Sequence, residues 1–247
     1  MEIELPGELV KALRLARNVV VLTGAGTSAE SGVPTFREAQ TGLWSQYDPQ
    51  QLATPRAFQR DPRLVWEWYA WRRSLVSEAE PNAGHLALAR LAGLFPNLDL
   101  ITQNVDGLHQ RAGSPCVMEL HGNIMRTKCF DCGVIIDDYR DPKQPLPRCT
   151  VCHGLLRPDV VWFGESLPYE VLSNAFAVTR ACDIFFSIGT SSVVQPAASL
   201  PFEALKRGAL TVEINPVRTP LSPYITYVLS GTSGAVLPDL VQATWPT

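Results

Sequence analysis

Several groups of residues have the types and spacing that chemistry needs. Cys129, Cys132, Cys149 and Cys152 form two C-x-x-C pairs separated by sixteen residues. That is the C-x2-C…C-x2-C spacing of a zinc site. Four soft thiolates close a tetrahedron and leave no position for water, so the expected ion is one structural zinc. His153 adjoins Cys152, but four cysteines already complete the set. His121 ends a short apolar run beside Gly122 and is a candidate general base, because its unperturbed pKa is near neutrality. Gln103, Asn104 and Asp106 follow another apolar run. Polar residues just past a strand's carboxyl end are where open α/β sheets bind ligands, although Asn104 or Asp106 could equally cap a helix. Tyr69 and Arg72 are three apart in a helical pattern and so share a face. On periodicity alone that helix is simply amphipathic.

The stretch from Val19 to Arg37 must position much of this. Its β-branched run reads as a buried strand, and Gly24, Gly26 and Ala29 then fit the G-x-G-x-x-G/A spacing of a dinucleotide-binding turn. Free backbone N–H groups and a helix N-terminus would face an anion there. An ordinary strand–turn remains the alternative. A dehydrogenase would need a second strand ending in an acidic residue about 20 positions on. Gly42 to Pro49 is no such strand, so hydride transfer is not expected. No Gly-Lys-Ser/Thr follows, which argues against a P-loop.

The remaining chain alternates strands and helices. Helices are expected over 8–17, 64–79 (starting at Asp61-Pro62), 81–94, 168–180 and 202–207. Strands are expected at 98–102, 117–120, 183–188 and 210–214, with an extended segment over 157–165. Residues 42–63 read as a long irregular loop, because periodicity fades there. The expected fold is a doubly wound, Rossmann-like parallel sheet carrying a small zinc-binding insert and a helical or loop insert. The boundaries read as 1–40, 86–124 and 158–247 for the Rossmann-like part, 41–85 for the helical insert and 125–157 for the four-cysteine module.

Composition bounds the class. The chain has 247 residues, 46% hydrophobic and 18% charged, with a net charge of −3. That acidity argues against a nucleic-acid partner. No apolar run reaches the roughly 18 residues of a membrane span, and the acidic start lacks a signal-peptide pattern, so a cytoplasmic protein is expected.

Six elements then occur in a fixed order: Gly24-Ala25-Gly26-x-Ser28-Ala29-x-Ser31-Gly32-x-Pro34-x-Phe36-Arg37, Thr102-Gln103-Asn104-x-Asp106-Gly107-Leu108-His109, Leu120-His121-Gly122, the two cysteine pairs, Phe163-Gly164-Glu165 and Gly189-Thr190-Ser191. Together they resemble the sirtuin family of NAD-dependent protein-lysine deacylases. The resemblance implies NAD as co-substrate and acylated-lysine proteins or peptides as partners. The acyl-lysine amide oxygen would attack C1′ of the nicotinamide ribose, and nicotinamide would leave. His121 would then act as general base on a ribose hydroxyl, which attacks the alkylamidate carbon. Water would release lysine and O-acyl-ADP-ribose.

The same resemblance implies that Gly24, Ala25, Gly26, Ser28, Ala29, Phe36, Arg37, Trp44, Gln103, Asn104, Val105 and Asp106 line the cofactor's phosphate and nicotinamide side. Gly189, Thr190, Ser191, Asn215 and Ser233 would line its adenosine side. Val160, Val161, Phe163, Gly164 and Glu165 would pair with the peptide. Tyr69 and Arg72 resemble the mark of the bacterial desuccinylase and demalonylase branch, in which a guanidinium grips the acyl carboxylate and the phenol adds a hydrogen bond. Arg73 should point elsewhere. A mono-ADP-ribosyltransferase on the same fold is the alternative activity.

Overall fold

The computed structural model describes residues 5–34, 48–136 and 146–246. From the N-terminus these form α1 (Gly7–Leu15), β1 (Asn18–Thr23), α2 (Gly26–Ala29), α3 (Pro49–Leu52), α4 (Pro55–Arg60), α5 (Pro62–Glu78) and α6 (Ala83–Ala92). Then come β2 (Asn97–Thr102), α7 (Leu108–Arg111), β3 (Val117–Glu119), β4 (Gly122–Cys129), β5 (Ile135–Ile136) and β6 (Leu156–Val160). The chain finishes with α8 (Tyr169–Ala181), β7 (Ile184–Ile188), α9 (Leu200–Lys206), β8 (Leu210–Asn215), β9 (Tyr227–Ser230) and α10 (Ser233–Thr244).

Six strands make one parallel sheet in the order β3-β2-β1-β7-β8-β9. The alternation of side chains along β1 divides its residues between two cores. Val19 and Val21 face a core shared with α1, α6 and α10, whereas Val20 and Leu22 face one shared with α8 and α9. A parallel sheet covered on both faces explains why its central strands, β1 and β7, read as apolar runs. The strand order reverses between β1 and β7, so the carboxyl ends of these two strands border the crevice where such sheets take ligands.

A second, antiparallel sheet of order β5-β4-β6 carries the cysteines. It shares a third core with the helices between β1 and β2: Phe58, Trp66, Trp68 and Tyr69 pack with Ile124, Cys129, Cys149 and Trp162. The β4–β6 pairing slips between Asn123 and Thr127. Such an irregularity leaves backbone carbonyls without ladder partners. Buried Arg73 supplies them, donating Nε to the Ile124 carbonyl (2.6 Å) and Nη2 to the Arg126 carbonyl (2.9 Å). Arg73 therefore points away from Arg72, as helical spacing requires.

Some expectations need correction. Residues 49–60 are not irregular, since α3 and α4 lie there. Thr54 caps α4 by accepting from the Ala57 N–H (3.1 Å), and Pro55 is its first residue. This repeats the Asp61-Pro62 signal that starts α5, where Asp61 accepts from the Leu64 N–H (3.0 Å). The extended segment expected over 157–165 ends at Val160. Residues 162–165 turn, with the Glu165 N–H donating to the Trp162 carbonyl and Gly164 at φ +88°. β9 and α10 were not expected at all.

Candidate active site

Two loops meet at the switch point. The Gly24 N–H donates to the Ile188 carbonyl (3.0 Å) and the Gly26 N–H to the Gly189 carbonyl (2.9 Å). A Cβ on Gly24 or Gly26 would lie 2.8 Å from the Gly189 oxygen. Gly189 itself has φ +60°, and a Cβ there would lie 2.4 Å from the Thr27 nitrogen. The glycines are thus needed for loop-to-loop contact as well as for the turn. Ala25 and Ala29 are exposed beside them, and Ser28 is buried.

Ser28 ties this turn to the loop after β2. Asn82 N–H donates to His85 Nδ1 (3.3 Å), which leaves the His85 proton on Nε2, facing Ser28 Oγ at 3.4 Å. Ser28 also accepts from Asn104 Nδ2 (3.0 Å) and donates to Asp106 Oδ2 (2.7 Å). The second Asn104 proton goes to the Gly24 carbonyl (3.1 Å), and Asp106 Oδ1 accepts from the Leu108 N–H (2.9 Å). Asp106 therefore grips Ser28 while tying the backbone just ahead of α7, whose N-cap is Gly107 and neither Asn104 nor Asp106. Val105 is half-buried, and its carbonyl accepts from the Ile124 N–H (2.8 Å).

Beneath lies a second buried set that sequence reasoning missed. Thr23 Oγ1 donates to Thr102 Oγ1 (2.8 Å) and meets His109 Nε2 at 2.9 Å. His109 stacks edge-on against His85 with ring centroids 4.8 Å apart. Burial, with the neighbouring His85 adding to it, pushes His109 down to about 3, and burial also lowers His85. Both rings are neutral near pH 7. Their signal in sequence was one histidine at the start of the expected 81–94 helix and one ending the Thr102–His109 motif, neither distinguishable there from a surface residue.

His121 sits on the seam between the two sheets. Its Nδ1 is 3.0 Å from the Gln103 carbonyl, which can only accept, so Nδ1 holds the proton and Nε2 a lone pair. Burial lowers its pKa, partly offset by that bond. Gly122 permits the seam: its φ is +80°, and a Cβ would stand 2.1 Å from the Asp159 carbonyl oxygen. The Val161 N–H donates to the His121 carbonyl (2.9 Å), and the Phe163 N–H donates to the Ala53 carbonyl (2.9 Å). These two N–H groups are consequently spent within the protein, and a peptide pairing there would use other backbone groups. Phe163 and Gly164 are exposed.

On α5, Tyr69 is fully buried and Arg72 half-buried. The Arg72 guanidinium lies 5.0 Å from the Trp68 ring centre and 5.8 Å from that of Tyr69. Trp162, named by no sequence signal, donates Nε1–H to the Tyr69 oxygen (2.8 Å). Burial raises the Tyr69 pKa, against lowering by Arg72 and by the Trp162 bond, so the phenol is protonated. Glu165 does not face outward. Its carboxylate takes both Arg157 terminal nitrogens (2.5 and 2.9 Å) and the Trp162 N–H (2.8 Å).

Of the residues expected to line the adenosine side, Thr190 is buried and Ser191 exposed, and Asn215 donates to the Thr190 carbonyl (3.1 Å). Ser233 opens α10 and is buried against Gly84, with its hydroxyl turned to the Thr27 carbonyl (3.5 Å) and Glu30 (3.4 Å). Its described contacts are with the back of α2 and not with the 189–192 loop. Phe36, Arg37 and Trp44 lie outside the described residues.

The four cysteine sulfurs all lie within 4.8 Å of one another. Cys129 and Cys152 are 3.4 Å apart, and Cys132 and Cys149 are 3.7 Å apart. A disulfide needs about 2.05 Å. A zinc tetrahedron with Zn–S bonds of about 2.3 Å has edges of roughly 3.8 Å, so this donor set fits Zn2+. His153 is exposed and outside the cluster.

Comparison with known proteins agrees with this geometry. The Sir2 family model matches residues 24–196. An NAD-dependent protein deacylase of Aquifex aeolicus is 55% identical over 206 residues, covering 83% of this chain and 86% of that protein. NAD-dependent protein deacylase 1 of Pseudomonas aeruginosa is 48% identical over 246 residues, covering 96% and 98%. A solved complex of a Sir2 homologue with NAD superposes with a TM-score of 0.91 at 47% identity, covering 98% and 94%. With the parallel sheet, the glycine crevice at its switch point and the four-thiolate insert, these matches establish that the chain belongs to the Sir2 family, the sirtuins.

Proposed function

We propose that the protein is an NAD-dependent protein-lysine deacylase that removes succinyl and malonyl groups, with acetyl removal alongside. Nicotinamide, O-acyl-ADP-ribose and free lysine are its products. Close relatives carry the name NAD-dependent protein deacylase, which supports the general activity. In this reading the Rossmann-like part (1–40, 86–124, 158–247) holds NAD. The helical insert (41–85) and the zinc module (125–157) supply the acyl side.

The crevice loops fit a pyrophosphate beside Gly24 to Ala29, where the glycines and the small exposed Ala25 and Ala29 leave the backbone open to approach, although the Gly24, Gly26, Thr27 and Ser28 N–H groups already donate within the protein. Gln103, Asn104, Val105 and Asp106 serve the nicotinamide half, and Gly189, Thr190, Ser191 and Asn215 the adenosine half. His121 acts as base through Nε2, because Nδ1 already donates to the Gln103 carbonyl. Val160, Val161, Phe163 and Gly164 border the peptide. Cys129, Cys132, Cys149 and Cys152 hold zinc, which closes the fold and takes no part in the reaction.

The observation that supports the acyl preference is the Arg72 guanidinium, half-buried against the Trp68 and Tyr69 rings. A carboxylate meets a cation there with little competing water, and a bidentate bond adds geometry that an acetyl methyl cannot use. Arg72→Met tests this. Removing one partner of a desolvated charge pair costs about 2 kcal/mol or more, roughly 30-fold in kcat/KM. We expect that loss on a succinyl-lysine peptide and a much smaller one on the acetyl peptide. A proportional loss on both would remove Arg72 from carboxylate recognition.

A further inference from the structure

The phenol oxygen of Tyr69 has one proton and two lone pairs, and it is fully buried. Trp162 Nε1–H occupies one lone pair at 2.8 Å. Among the described residues, the Tyr69 proton itself is committed to no acceptor. A buried O–H without a partner is costly, so this one is aimed at something that arrives.

Trp162 is held from two sides. The Arg157 guanidinium carbon lies 3.3 Å from its ring centre, and Phe58 packs at 5.4 Å between centroids. Arg157 is itself fixed by both Glu165 oxygens and by the Val160 carbonyl. Glu165 also accepts from the Trp162 backbone N–H. Of the three carboxylate contacts, two hold the Arg157 guanidinium that covers the indole and one holds the Trp162 backbone.

We propose that Trp162, clamped by Glu165 and Arg157, is a positioning residue for acyl selectivity: by filling one side of the Tyr69 oxygen it leaves the phenol proton a single direction, toward a carboxylate held by Arg72. The proposal rests on the acyl-pocket reading of Tyr69 and Arg72. It assigns the 157–165 segment a second task besides bordering the peptide.

The test is a cycle of Trp162→Phe and Tyr69→Phe in the full-length, zinc-loaded protein, with steady-state kinetics on succinyl and acetyl forms of one peptide. Phenylalanine keeps a ring for Arg157 to stack on and removes the indole N–H together with part of the ring volume; the volume loss is felt with either peptide, so the succinyl-to-acetyl ratio is what reads the N–H. One hydrogen bond corresponds to about five-fold. We expect Trp162→Phe to raise KM for the succinyl peptide about five-fold more than for the acetyl peptide. We expect that difference to vanish in the Tyr69→Phe background, because the residue acts through the phenol. Equal changes on both peptides, or an effect that persists without the phenol, would overturn the proposal and leave the Arg72 reading intact. A wild-type protein with no preference for the acidic acyl group would overturn both. If Trp162→Phe fails to fold, Glu165→Gln reads the same ratio: a fall in succinyl over acetyl selectivity supports the clamp, and an unchanged ratio overturns it.

Discussion

At His121 one ring nitrogen is spent, and among the described residues the other has no hydrogen-bond partner. The Gln103 carbonyl fixes the proton on Nδ1, and that carbonyl is held in turn because the Gln103 N–H donates to the Thr23 carbonyl (3.0 Å). Substitution by alanine should lower turnover by roughly 10²–10⁴-fold, the usual worth of a positioned base, with NAD affinity nearly retained. Unchanged turnover would remove the residue from that role. The sign of the pH effect follows from burial, which lowers the His121 pKa. In the proposed reaction the neutral ring is the base, so kcat/KM should hold as pH falls through about 6.5 and decline only below it. An acid limb at or above that value would contradict the buried, neutral ring. His121 was legible in sequence because it ends an apolar run beside a glycine. His85, His109 and Trp162 were not, because their partners come from residues far away in the chain.

The element that most constrains the proposed acyl side is the small antiparallel sheet. Cys129 and Cys149 are buried in the same core as Phe58, Tyr69 and Trp162, and Phe130 stacks on Phe58 at 5.2 Å. Trp66 Nε1–H donates to the Leu156 carbonyl (2.8 Å), so the helices lean on the strand that follows the last cysteine. Zinc binding free energy is folding free energy for such a module. Chelation, or Cys129→Ser, should therefore loosen this layer while the parallel sheet persists. Tryptophan emission should move to the red, since Trp66, Trp68 and Trp162 all sit in this core, and succinyl-peptide turnover should fall. Unchanged emission and stability with metal loss measured directly would refute a structural ion. Cysteine spacing made the module legible. The short helices at 49–60 were obscured because their start signals, such as Thr54-Pro55, sit in a stretch too short for periodicity to register.

For the whole molecule, topology does what no single motif does. The strand order reverses at β1 and β7, and this reversal brings a turn near residue 25 against one near residue 189. The apolar runs of β1 and β7 made the parallel sheet readable, because its central strands are buried on both faces, whereas β2 and β8 interleave Asp99, Thr211 and Glu213 among their apolar residues. β9 and α10 escaped notice. β9 is a short edge strand, and α10 carries Pro238 within it and is anchored from a distance by Glu30, which accepts from the Gly234 N–H (2.8 Å) and the Thr232 hydroxyl (2.8 Å). The described helices include none long and apolar enough to cross a membrane.

The proposed function joins NAD cleavage at the crevice to carboxylate recognition on α5. It is tested most directly by nicotinamide release from NAD with acetyl-, malonyl- and succinyl-lysine versions of one peptide. The predicted result is release that depends on the acylated peptide, with kcat/KM higher for succinyl and malonyl than for acetyl. Release that ignores the acyl group, or an acetyl peptide that outperforms both acidic ones, would contradict it.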